Sequence, residues 1–194
     1  MLASITPLGE RSRGFSWRVT ATAFAIGAIG AGSAAGALVA ALGSLLPGDA
    51  AWRAVALLAV LAIAFLYDAT PLRERLPTTR RQVNEDWMTR YRGWVYGVAF
   101  GAQLGVGVAT VVTSAAIYAG CAVVVLCGKP AVGAAIGAVF GLVRAMSLLP
   151  ARRARDRKGL VELHRLLRAI EPYARRATPM LELLLAALVI ASLA

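Results

Sequence analysis

The chain has little charge and still less acid. Of its 194 residues only 16% are Asp, Glu, Lys or Arg, and 10 acidic residues face 21 basic ones, a formal net charge of +11. A soluble domain averages about 25% charged and roughly 45–50% apolar residues, whereas 59% of this chain is hydrophobic and its mean hydropathy is +0.68. So few polar residues cannot cover the surface of a soluble two-domain enzyme, and so apolar a chain is not disordered. Cysteine and histidine are also scarce. Cys121 and Cys127, six positions apart in an apolar stretch, exclude a disulfide framework. The single His164 sits in a distant basic segment, so the four ligands of a zinc site cannot be assembled, and neither a metal nor a cofactor is expected. The apolar stretches hold no Ser/His/Asp set, paired carboxylates or phosphate loop. No catalytic residue is assigned, and enzymatic chemistry by the chain alone is not expected. What remains is an integral membrane protein.

The apolar runs give an all-α fold class, a polytopic transmembrane helical bundle within a single domain, 1–194. From Val19 to Leu46 no residue is ionisable, a length beyond the roughly 20 residues that cross a bilayer. A signal-peptide core is only about 7–15 residues long, so this run reads as a retained span. After the turn Pro47-Gly48-Asp49 a second run ends at Asp68. The segment Gly93–Cys127 is again uncharged, Gly128-Lys129-Pro130 makes a turn, and Ala131–Leu149 is interrupted only by Arg144. The expected spans are 19–46, 51–67, 94–120, 131–149 and 179–194, about five, separated by basic segments 68–92 and 150–178. Four spans and an interfacial tail is the alternative. Glu182, the only acid of the last run, is expected to be a solvated or snorkelling carboxylate at the membrane edge, with a proton carrier as the alternative.

The basic residues sort by side. Three lie in the head (Arg11, Arg13, Arg18), six in segment 68–92 and nine from Arg152 to Arg176, against only Arg53 and Lys129 at the opposite turns. Retained Lys and Arg in short loops mark the cytoplasmic face, so the expected topology is multi-pass in the cytoplasmic (inner) membrane with the N-terminus inside. Arg outnumbers Lys, and Ala and Gly abound, the composition of a GC-rich bacterial genome. Because the cations flank spans instead of forming one aromatic-interleaved patch, no nucleic acid partner is expected. The expected partners are the bilayer and anionic lipids at its cytoplasmic face. Leu160, Leu163, Leu166, Leu167 and Ile170 recur at helical spacing among Lys158, Arg165 and Arg168, the pattern of a surface amphipathic helix that fits either lipid or a protein partner.

Glycine is the most informative residue type. Gly97, Gly101 and Gly105 form one four-residue stripe and Gly133, Gly137 and Gly141 another, with Gly32 and Gly36 a shorter one. Small residues at this spacing let helix backbones touch where the bilayer supplies no hydrophobic drive. The two long stripes are expected to pack against each other or across a homo- or hetero-oligomer. Ala25–Gly32 can be laid over Ala99–Gly107 with one gap, which suggests two repeated helix-pair units. The first and third runs, 28 and 35 residues long, exceed the bilayer thickness. Either they extend beyond it or they break near Gly27–Gly32 and Gly101–Gly107. Unwound backbone there would have to line protein or water, which makes Gly27, Gly30, Gly32, Gly101, Gln103, Gly105 and Gly107 a candidate substrate pathway. Thr110, Thr113, Ser114 and Tyr118 are further polar groups of the third run. Asp68 and Arg144, at similar places in the two halves, are a candidate ion pair between repeats.

The segment Arg92-Gly93-Trp94-Val95-Tyr96-Gly97-Val98-Ala99-Phe100-Gly101, after a basic loop and leading into a glycine-rich helix, resembles the second-half opening of the CcdA and DsbD membrane domains. The resemblance implies a duplicated helical fold and transfer of reducing equivalents across a membrane. That family places Cys beside Pro in each broken helix, and neither Ser33–Gly36 nor Val108–Val112 holds either residue. No catalytic residue carries over. Two functions therefore stay open: a transporter-like or membrane redox-accessory protein of unknown substrate, and a non-catalytic membrane subunit or scaffold that packs through its glycine stripes and binds a partner or lipid through residues 158–176.

Overall fold

The computed structural model describes residues 5–46, 48–78, 87–107 and 112–191, and among these residues it is all-helical. A short helix, α1 (Pro7–Ser12), precedes the long α2 (Trp17–Gly43). Asp49 accepts the Ala51 N–H at 3.0 Å and so caps α3 (Ala50–Ala69). Thr70 turns extended before Pro71, ending α3 in a 3-10 turn, Pro71–Arg75. After α4 (Trp87–Arg90) come α5 (Gly93–Gly105), α6 (Ala116–Cys127) and α7 (Pro130–Met146). A second 3-10 turn, Pro150–Arg153, leads to α8 (Arg157–Ala191).

Among the described residues three helical stretches are long and apolar enough to cross a membrane: Trp17–Gly43, Ala50–Ala69 and Pro130–Arg153, the last being α7 with the turn that follows it. The run expected as one third span is instead two helices of 13 and 12 residues, each about half a crossing. The last apolar run is not a separate element either. It continues a 35-residue helix that passes through Pro172 and Pro179. Thr178 donates its hydroxyl to the Ala174 carbonyl at 3.0 Å, beside the second proline.

α2 is the axis of the molecule because its buried face is made of small residues. Gly97, Gly101 and Gly105 of α5 lie against the carbonyls of Thr20, Phe24 and Ala28, in the same chain direction and the same four-residue step. On α7, Gly133, Gly137 and Gly141 lie against Gly36, Gly32 and Ala28 in the opposite direction. Added β-carbons at these glycines would fall inside the van der Waals envelope of the α2 backbone. Both stripes are thus used on the first long helix, not on one another as expected, and both converge on the fully buried Ala28. α6 continues along α2 where α5 leaves off, with Val125 against Gly43. α3 packs on α6, and α8 packs on α3. α2 is continuous through Gly27–Gly32, whereas the run that follows the second basic segment holds two helices, α5 and α6.

Candidate functional site

Three polar or hollow places interrupt this apolar packing. The first is the gap between α5 and α6. Helix α5 ends at Gly105, and Gly107 adopts φ +78°, a left-handed conformation that glycine takes without strain. A β-carbon there would also press on the Phe140 ring at 3.1 Å. The divergence leaves a cavity of about 310 Å³ between α2, α6 and α7, lined by Gly32, Gly36, Gly105, Gly107, Cys121 and Phe140 among others. Its walls are chiefly apolar, as in most small-molecule sites.

The far side of the gap is pinned by the end of α3 and the chain that follows it. The Asp68 carboxylate accepts from the Ser114 hydroxyl at 2.6 Å and from the Ala115 and Ala116 N–H groups at 3.1 and 3.4 Å, the orphan donors at the start of α6. Arg73 donates Nε to the Thr113 carbonyl at 2.8 Å and lies 3.8 Å from Asp68. Thr78 accepts the Val112 N–H at 2.7 Å, and Tyr118 donates its hydroxyl to the Pro77 carbonyl. At the other end of α6, Arg53 donates to the carbonyls of Leu126 (2.8 Å) and Leu46 (3.2 Å), joining the C-terminal ends of α6 and α2.

The second place is a buried knot at the start of the bundle. Glu10 is fully buried and accepts from Thr20 Oγ1 at 2.6 Å and Arg13 at 2.6 Å, and the Tyr96 hydroxyl sits 2.5 and 2.6 Å from its two oxygens. Burial disfavours the Arg13 charge, but the Glu10 hydrogen bond and the fields of Tyr96 and Glu10 outweigh it and hold that guanidinium above the ordinary arginine range. This knot ties α1, α2 and α5 together. Sequence reasoning passed over it because Glu10 and Tyr96 are 86 positions apart. The third is a groove of about 930 Å³ between the start of α2 and the end of α7, where Arg11, Arg18, Arg152 and Arg155 surround Trp17.

Of the candidate pathway residues, Gly32, Gly105 and Gly107 line the cavity. Gly27 and Gly101 serve α2–α5 contact, Gly30 has nothing within 4 Å of where a β-carbon would lie, and Gln103 is half-buried away from the cavity lining. Asp68 and Arg144 are not brought together: Asp68 is held by the start of α6, and the Arg144 guanidinium lies over the Phe140 ring at 5.7 Å. Thr110, the basic residues Arg80 and Arg81, and the turn residue Pro47 lie outside the described residues. Glu182, expected to be solvated or snorkelling at the membrane edge, is only 3% exposed.

Over 158 residues, 77% of the chain, the sequence is 33% identical to the methylamine utilization protein MauF of Paracoccus versutus. The match covers 57% of that protein, so the chain spans a little over half the length of this relative. No family model matches the chain, and no solved structure matches it.

Proposed function

We propose that this chain is a bacterial inner-membrane protein, transporter-like or redox-accessory, that serves amine utilization as the name of its relative MauF describes. The observation that carries the reading is the divided third segment. Backbone leaves the helix at Gly105, beside a cavity, in an otherwise tightly packed bundle. Irregular backbone at membrane depth is tolerated where it faces protein or a polar pathway, and discontinuous helices are a common way of building a substrate site in transporters. The native Cys121 thiol on the cavity wall supplies a direct probe.

A cysteine-accessibility scan from Gly97 to Tyr118, with Cys121 and Cys127 replaced by serine, tests the pathway. Charged, membrane-impermeant thiol reagents are expected to modify cysteines at Val106 and Ile117, and Cys121 in the native chain, while position 100 stays protected. Protection of every position would overturn the reading.

The alternative of a docking subunit rests on α8. Its first half, with Arg157, Lys158, Arg165, Arg168, Arg175 and Arg176, is almost wholly exposed. Together with the arginine-lined groove it suits anionic lipid headgroups or an acidic partner at the cytoplasmic face. The glycine stripes lend this alternative no interface, since both are used within the chain.

A further inference from the structure

One buried charge is unaccounted for by the packing. Glu182 is 3% exposed, no donor group reaches either of its carboxyl oxygens, and its polar neighbour is the Asp68 carboxylate. Buried polar groups are nearly always satisfied, and an isolated buried carboxylate is among the costliest exceptions. Glu182 is the only charged residue of α8 from Thr178 to its end. It faces Asp68 from across the α3–α8 contact.

The donors nearby serve Asp68 or the backbone. Ser114 Oγ and the Ala115 and Ala116 N–H groups point to that carboxylate, and Arg73 stands 3.8 Å from it while donating Nε to Thr113. The other titratable side chains near this corner are Tyr67 of α3, packed on the neighbouring apolar cluster, and Tyr118 of α6, whose hydroxyl is committed to the Pro77 carbonyl. One guanidinium and one helix N-terminus therefore match one negative charge. Arg73 acts on Glu182 as well as on Asp68, so one guanidinium is shared by two carboxylates among the described residues, and like charges side by side do not both ionise without a second positive charge.

We propose that Asp68, Glu182 and the Ser114 hydroxyl form a site for one monovalent cation, a proton or Na⁺, at the entry to α6. The cation sits between the two carboxylates and supplies the positive charge the packing omits. The Ser114 hydroxyl and the Ala115 and Ala116 N–H groups all point to Asp68, which leaves the cation to Glu182. Because Asp68 also holds the N-terminus of α6, loss of the cation sets the two carboxylates against each other and strains the anchor of the outer half-helix. This inference is independent of the pathway reading, since occupancy of the carboxyl pair can be read whether or not the cavity conducts.

The test uses the full chain in lipid nanodiscs treated with dicyclohexylcarbodiimide, an apolar reagent that attacks protonated carboxyl groups, followed by mass mapping. At neutral pH, in choline buffer, Glu182 is expected to label roughly tenfold or more faster than the exposed Glu171, a ratio equivalent to one decade of proton occupancy. The adduct should be absent from Glu182→Gln. Replacing choline by Na⁺ at equal ionic strength separates the occupants: slower labelling identifies a Na⁺ site, and an unchanged rate identifies a proton site. Labelling of Glu182 no faster than Glu171 in choline would overturn the proposal. The decisive comparison is made on the unmutated protein, so it does not depend on a variant folding.

Discussion

At the scale of single residues, the bundle is held at one end by a knot of polar side chains in a protein that has few of them. Glu10 has three side-chain donors, and Tyr96 is the one that ties it to α5. A hydrogen bond to a charged group contributes about 1.5–3 kcal/mol when its loss leaves the partner buried. Tyr96→Phe is therefore expected to destabilise the protein by roughly 1.5–3 kcal/mol, seen as a lower Tm in detergent by circular dichroism. An unchanged Tm would mean that the knot does not form. None of this was legible in the sequence. Glu10 reads there as one acid in a basic head, and its partners come from α2 and α5, too far along the chain for any local pattern to reveal them. Glu182 illustrates the converse: its presence in an apolar run was plain, but its burial depends on α8 packing against α3.

At the scale of elements, the glycine stripes were visible and their purpose was half visible. Four-residue spacing of small residues announces close helix contact, and the contact exists. Its direction was not readable, because a stripe records how near a neighbour comes and not which neighbour it is. The structure separates stripe glycines from incidental ones, and the difference is measurable. Gly101→Ala and Gly137→Ala push a methyl into the α2 backbone and should each destabilise the fold by about 1–3 kcal/mol, the usual cost of overpacking. Gly30→Ala meets open space and should leave stability unchanged or raise it by up to ~1 kcal/mol through helix propensity. Equal melting temperatures for the three variants would contradict the packing described. The divided third segment shows the same boundary. Its length and glycines pointed to a break near Gly101–Gly107, where α5 does end, while the matching break near Gly27–Gly32 does not occur because α2 is packed by α5 and α7 along that stretch.

At the scale of the whole molecule, the charge distribution and the fold agree in one respect. Arg11 and Arg18 of the head meet Arg152 and Arg155 around a single groove at the start of α2 and the end of α7. In the proposed orientation this groove and the basic half of α8 face the cytoplasm. Trypsin should then cut between Arg165 and Arg176 in inside-out membrane vesicles and leave the same sites intact in right-side-out vesicles. Peptide mapping showing the opposite sidedness would reverse the topology.

The sequence by itself determined that the chain is helical and suited to a membrane, because mean hydropathy and the placing of its charges are additive properties that need no partner. It also determined where backbones come close, since only glycine and alanine allow it. Tertiary structure alone decided what lies against what: α2 as the common axis, the third segment split beside a cavity, the Glu10 knot, and Glu182 brought to Asp68. Those outcomes depend on contacts between residues tens of positions apart, and the energy of such contacts resides in the pair and not in either residue's place in the chain.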